Sequence, residues 1–332
     1  MRETLPLALI AITASLSWGQ SAIAARAGMI HYAEGAVNLD GQTLSSDPSD
    51  LQEFKFVNEG ETLNTTRGRA EILLNPGSFL RVSENSSVRL ISSTLEDTRI
   101  QLVTGKALIE VSEFNKDNLI VVQVGDVYVR LQKHGLYQFS VGPARVRVYD
   151  GEASISGSGS DSTTDGVRVR KGNEAALEGT AVQIATIQPT KFDREETDAL
   201  YRWSARRDRV LAQVNQSSAL LASSNGYRSQ GGLSSWAWNP SYGMYTFLPG
   251  NGYGYSPFDG IQYYSPVTIV YLTQSPVSIN QTSDNNLGRL TPANSTATAT
   301  ATDTSPSIPI RSSAPVSAAP VSAEPATGGR KR

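Results

Sequence analysis

Short apolar runs recur between residues 56 and 155, each closed within a few positions by a turn residue. Inside the runs the apolar side chains alternate. Ala70, Ile72 and Leu74 fall on one face of an extended chain. So do Val127, Val129 and Leu131, with Tyr128 and Arg130 between them, and Val146 and Val148 alternate with Arg145, Arg147 and Tyr149. A period of two marks a strand buried on one side, so these segments predict an antiparallel sheet with one wet face. Asp40-Gly41, Gly125-Asp126, His134-Gly135 and Asp150-Gly151 supply hairpin turns, because Gly, Asp and Asn tolerate the positive φ of primed turns. No helical stretch interrupts the strands, which excludes βαβ units and predicts an all-β sandwich, jelly roll or β-roll. Strand patterning resumes after a Gly/Ser/Thr/Asp-rich loop at 156–165 and stops before Pro189, giving a β domain at 25–188.

The period then changes. Across 189–222, Leu200, Trp203, Val210, Val214 and Leu221 recur at near-helical spacing, while Arg202, Arg206, Arg207 and Arg209 lie mostly on other faces. Asp193 and Glu196 form a capping-box-like pair and Phe192 a staple, so the expected amphipathic helix starts there and packs on the sheet. Residues 223–275 are an aromatic extension interleaved with Gly and Pro. Its rings, with one from the helix, define a candidate binding surface: Trp203, Trp236, Trp238, Tyr242, Tyr245, Tyr253 and Tyr255. Aromatic rings give large contact area at little entropic cost, though Gly/Pro spacing also suits plain packing turns. Residues 276–332 are rich in Ser, Thr, Ala and Pro and are expected to be a disordered tail.

At the other end, a weak positive start at Arg2, an apolar run at 5–16 and Ala22-Ile23-Ala24 read as a signal peptide over 1–24, with the mature chain starting near Ala25. The apolar run is too short to span a bilayer. The expected address is periplasmic or extracellular, in the cell envelope, with no integral membrane segment after cleavage.

Composition narrows the chemistry. The 332 residues include no cysteine, which excludes disulfides, thiolate nucleophiles and Cys-based zinc sites. A net charge of −2 supplies no overall basic field for nucleic acid. The two histidines, His31 and His134, read as surface or edge residues, and neither belongs to a zinc-hydrolase motif. There is no G-x-S-x-G elbow and no phosphate-binding P-loop. Carboxylate pairs such as Glu110/Glu113 are expected to be exposed. A glycosidase on a β scaffold stays open, because its two acids need not be close in sequence. The reading is a non-enzymatic protein without cofactor, catalytic or metal residues.

Gly60-Glu61-Thr62-Leu63-Asn64-Thr65, then Ala70-Glu71-Ile72-Leu73-Leu74, then Gly77-Ser78-Phe79-Leu80-Arg81-Val82 resembles the FecR domain family, whose pattern runs G-x-x-L-x-T, A-x-[VI]-x-L, G-S-x-[LI]-x-[LV]. Residues 102–107, 135–139 and 146–155 match its later strands, so the likeness extends over about 28–187. The resemblance implies an exported bacterial all-β domain whose founding members relay signals from an outer-membrane receptor to a sigma-factor system. Without a spanning helix, this chain looks like the free-standing exported members. The implied role is protein interaction or signal sensing with an unidentified envelope protein. The alternative is a polysaccharide- or cell-wall-binding module using the aromatic extension.

Overall fold

The computed structural model describes residues 26–44, 55–157, 166–179, 183–184, 186–224, 232–258 and 260–274. They belong to one compact unit, Met1–Val277. The proposed signal peptide, the 156–165 loop beyond residue 157 and before 166, and the 276–332 tail lie outside the described residues.

The architecture is all-β, as the alternation predicts, followed by a long helix. Fourteen strands share a single sheet that folds over itself. They are β1 (Met29–Leu39), β2 (Gln42–Leu44), β3 (Thr62–Leu73), β4 (Ser78–Val82), β5 (Ser86–Ser93), β6 (Asp97–Val111), β7 (Leu119–Val124), β8 (Val127–Leu131), β9 (Gly135–Val141), β10 (Arg145–Asp150), β11 (Glu152–Gly157), β12 (Val167–Arg170), β13 (Asn173–Ala176) and β14 (Thr190–Lys191). Helix α1 (Ala199–Ser224) follows, then two hairpins, β15 (Ser235–Asn239) with β16 (Met244–Leu248) and β17 (Tyr253–Tyr255) with β18 (Gln262–Tyr264), and helix α2 (Pro266–Gln274). Among the described residues, neither helix is long and apolar enough to cross a membrane.

The pairings define two layers. The first half of β6 pairs with β5 and, in parallel, with β7. Strands β8, β11 and β12 extend that layer. The second half of β6 pairs with β4 and β9, and β10 and β13 extend the other layer. Strands β1 and β3 also run through both: residues 37–39 pair with 63–65 near β5, and 29–30 with 72–73 near β4. Each of these three strands passes a glycine where it changes layer. Gly35 and Gly68 face each other, and a Cβ on either would lie 2.2 or 2.5 Å from backbone oxygen of the partner strand. Gly105, at φ +77°, lies against Asn85 and Ser86. Only a residue without a side chain lets strands approach this closely at a bend.

Between the layers lies one continuous apolar core. Ala70, Ile72, Leu74, Val127, Val129, Leu131, Val146 and Val148 all point into it, the faces the alternation assigns. The turns divide. Asp40 and Gly41 (φ +46° and +90°), Gly125 and Gly151 adopt the expected positive φ. His134-Gly135 does not form such a turn. Gly135 opens β9, where a Cβ would meet the Asp150 carbonyl oxygen at 2.2 Å, so close approach explains that glycine.

Helix α1 begins at Ala199, later than the Asp193 motif predicts. Residues 190–191 are held as β14 against β13, so the chain cannot turn helical there. Asp198 caps the helix instead, its Oδ1 accepting the Tyr201 N–H at 2.9 Å, while Lys106 and Gln138 anchor its Oδ2. Asp193 closes a local turn to the Glu195 N–H.

The register has a direct test. Val148 is fully buried, whereas Arg147 on the next position is half-buried and paired with Glu174 at 2.6 Å. Val148→Asp forfeits about 1.5–3 kcal/mol of apolar burial and adds the cost of a buried charge. Urea unfolding should show Arg147→Asp costing far less; equal losses would mean the faces are exchanged.

Candidate binding surface

The outward positions of the second layer carry Glu71 on β3, Arg81 on β4 and Glu110 on β6, which are direct cross-strand neighbours or nearly so. Alternation correctly turns them away from the apolar core, yet all three are fully buried. The expected wet face is therefore dry over this half of the sheet, because α1 and the aromatic hairpins lie on it. Glu110, expected to be exposed, is part of this covered face.

The charges there pair with each other. Arg81 bridges both acids, Nε to Glu71 at 2.8 Å and Nη1 to Glu110 at 2.5 Å. From α1, Arg207 reaches Glu71 at 2.9 Å and stacks 4.0 Å over the Tyr32 ring. His31, whose imidazole is buried rather than at a surface, meets the same Glu71 oxygen at 2.9 Å. Asp208 is buried beside them and accepts a hydrogen bond from the Tyr263 hydroxyl of β18. Burial alone pushes the Glu71 carboxyl up, but the Arg207 and Arg81 guanidiniums overcome it and hold it well below the usual range. Asp208 moves the opposite way: burial first, then the nearby Glu110 charge, raise it well above an ordinary carboxylate. Burial likewise lowers His31. Asp208 and His31 thus both shift toward their neutral forms, while Arg81 lies between Glu71 and Glu110 and Arg207 against Glu71, the pairing that makes burial of such charges tolerable.

This cluster sets α1's face. Its buried residues include Ser204, Arg207, Asp208, Leu211, Asn215 and Ser218, whereas Val210 and Leu221 of the predicted stripe are exposed. Asn215 ties the helix to the hairpins, donating to the Phe247 and Tyr264 carbonyls at 2.9 and 3.0 Å and accepting from the Tyr264 N–H at 2.7 Å. Thr246 donates to the Leu211 carbonyl at 2.7 Å.

The seven aromatic candidates separate on this foundation. Trp203, Trp236 and Tyr245 are buried and belong to the core beneath α1 and the hairpins, so they form no surface. Trp236 packs edge-on against Phe79 at 5.1 Å, filling the gap between sheet and hairpin. Trp238 is half-buried against Tyr245. Tyr242, at the β15–β16 turn, is exposed. Tyr253 and Tyr255 are 42% and 53% exposed, with ring centroids 6.2 Å apart on the same face of β17. Tyr264 packs edge-on against Tyr253 at 5.7 Å, and His134 Nε2 meets the Tyr255 carbonyl at 2.7 Å, fixing the strand to the β domain. On α2, Val267 and Tyr271 are exposed as well.

A polar groove of about 670 Å³ opens at the start of α1, lined in part by Lys106, Gln138, Arg145, Arg147 and Asp198. Its charges are largely internally paired, Lys106 to Asp198 at 3.0 Å and Arg147 to Glu174 at 2.6 Å.

Residues 61–154 match the family model of FecR protein, a segment from β3 into β11 that excludes α1 and both aromatic hairpins. The match is narrower than the 28–187 likeness seen in the sequence. No curated protein matches the chain. Two crystal structures of a candidate anti-sigma factor from Parabacteroides distasonis ATCC 8503 are similar. The one at 2.50 Å resolution is 13% identical with a TM-score of 0.32, covering 40% of this chain and 60% of that one. The one at 1.65 Å is 12% identical with a TM-score of 0.33, covering 44% and 64%. This chain thus spans less than two thirds of the length of either.

Two outcomes test the buried cluster. Glu71→Gln leaves Arg81 and Arg207 without their shared counter-charge and should cost about 3–5 kcal/mol in urea unfolding. Asp208→Asn probes the raised carboxyl. The folded chain keeps a proton that the unfolded chain releases near pH ~3.9, so this contribution is complete below that pH and fades as pH rises. The neutral variant should therefore gain stability relative to the parent as pH rises above about 4. The opposite trend would show Asp208 ionised in the fold.

Proposed function

We propose that this protein is a non-enzymatic module of the cell envelope that binds another protein through the exposed tyrosines of β17. The FecR match at 61–154 supports a regulatory, interaction-based role. The observation that carries the reading is the Tyr253–Tyr255 pair: two exposed rings held side by side on β17, whose Tyr255 carbonyl meets His134 and whose partner strand β18 is bonded to Asn215 of α1. Rigid aromatic anchors lose little entropy on binding, which is why such residues dominate protein interfaces. Val267 and Tyr271 of α2 are exposed as well. The indoles of Trp203 and Trp236, needed for a sugar-stacking platform on this side, are buried.

Export places this surface in the periplasm or beyond. The mature protein, isolated from the envelope fraction, should begin near Ala25 on N-terminal sequencing; an intact Met1 would remove the address. For binding, the tagged mature chain should capture a defined envelope protein. Tyr253→Ser with Tyr255→Ser should reduce that capture at least tenfold without changing the melting temperature, the scale expected for losing interface anchors. Undiminished capture would take the tyrosines out of the interface.

A further inference from the structure

The layer opposite α1 also has an outward face, and its residues fall into transverse rows. One row is defined residue by residue across five strands: Arg99 on β6 lies beside Val121 on β7, Val121 opposite Arg130 on β8, Arg130 opposite Ser154 on β11, and Ser154 opposite Arg168 on β12. Arginine thus occupies every second strand. At ~4.8 Å between strands, successive arginines stand roughly 10 Å apart along a straight line. The adjoining row is Gln101, Gln123, Tyr128 and Ser156, which offers amide and hydroxyl groups. Arg89 on β5 stands opposite Gln101, and Arg170 opposite Glu152.

Charge on this face is lopsided. The strands β5, β7, β8, β11 and β12 and the first half of β6 bear these five arginines and two carboxylates, Asp97 and Glu152. Asp97 pairs with Arg99 at 2.6 Å, and Glu152 lies 3.4 Å from Arg170 and 4.0 Å from Arg168. Among the described residues, Arg130 at the centre of the row has no carboxylate partner, although it is half-buried. This concentration is built against a chain of net charge −2.

We propose that this arginine row binds a linear acidic polysaccharide, one bearing carboxylates along an extended pyranose chain. The inference goes beyond the tyrosine surface and uses the other layer. A flat 1,4-linked ribbon turns the same side to a surface at every second sugar, an interval close to that between the arginines. Guanidinium groups take carboxylates in bidentate fashion, and the flanking Gln and Ser side chains suit sugar hydroxyls. The two rows themselves carry no exposed aliphatic side chain, since Val121 is buried and Tyr128 is their single aromatic, while the exposed Ile91 and Val103 lie outside them. The rows also lack the succession of stacking rings that single-stranded nucleic acid uses.

Titration of the mature chain with oligo-β-1,4-mannuronate should show binding that weakens as salt is raised. Arg130→Ser with Arg168→Ser should lower the affinity at least tenfold, Arg130→Lys should lower it several-fold because an ammonium cannot take a carboxylate in bidentate fashion, and Tyr253→Ser with Tyr255→Ser should leave it unchanged. Arg168→Ser alone, on the last strand of the layer, should give a partial loss even if the double variant fails to fold. Uncharged β-1,4-mannan should not bind. Equal binding of the arginine variants, equal binding of mannan, or stronger binding of polyglutamate or oligothymidylate than of oligomannuronate would overturn the proposal.

Discussion

The structure turns on Arg81 neutralising Glu71 and Glu110 on a sheet face from which water is excluded. A layer with three charged residues at its centre can be covered only if the cover brings what the charges still lack. Helix α1 does so with Arg207, and the β17–β18 hairpin adds the Tyr263 hydroxyl through Asp208. The covering elements are therefore selected by charge as well as by apolar fit. An unrelated helix would leave Glu71 facing one guanidinium instead of two, at several kcal/mol of uncompensated desolvation. This pairing makes the region beyond the FecR-matched segment an integral part of the fold, and it holds the exposed tyrosines on a rigid base.

Much of the β domain was legible because alternation reports which side chains leave water. Ile72, Val129 and Val148 sit where a period of two places them. What alternation does not report is what lies on the far side. Glu71 and Glu110 occupy outward positions, as do Arg99 and Arg130, and the pattern treats all four alike; only the arrival of α1 distinguishes the dry half from the open one. A clue was present in Phe79-Leu80-Arg81-Val82, where a lone arginine interrupts a strand apolar on both faces and so requires buried acids nearby. The helix face was legible only in part for the same reason. Counting apolar positions finds the buried Leu200, Trp203 and Val214 but also the exposed Val210 and Leu221, and it misses Arg207, Asp208 and Asn215, which Glu71 and the hairpins hold. The aromatic extension showed the converse problem. Gly and Pro spacing could not distinguish Trp236, which fills the space beside Phe79, from Tyr253, which projects from a short strand.

The two outward faces thus diverge in chemistry although they come from one sheet. One exchanges its water for a helix and two hairpins and presents aromatic rings at their periphery. The other is not covered by α1 or the hairpins and carries arginines in register. Separate surfaces of unlike chemistry share no side chains, so contact with one face leaves the other unchanged.

The long strands that turn at Gly35, Gly68 and Gly105 give the sandwich its mechanics. Because the same three backbones run through both layers, the sandwich has no seam along which sheets could slide apart. A force applied to one layer would be carried by covalent chain around the corners and would arrive as shear across many hydrogen-bonded rungs at once.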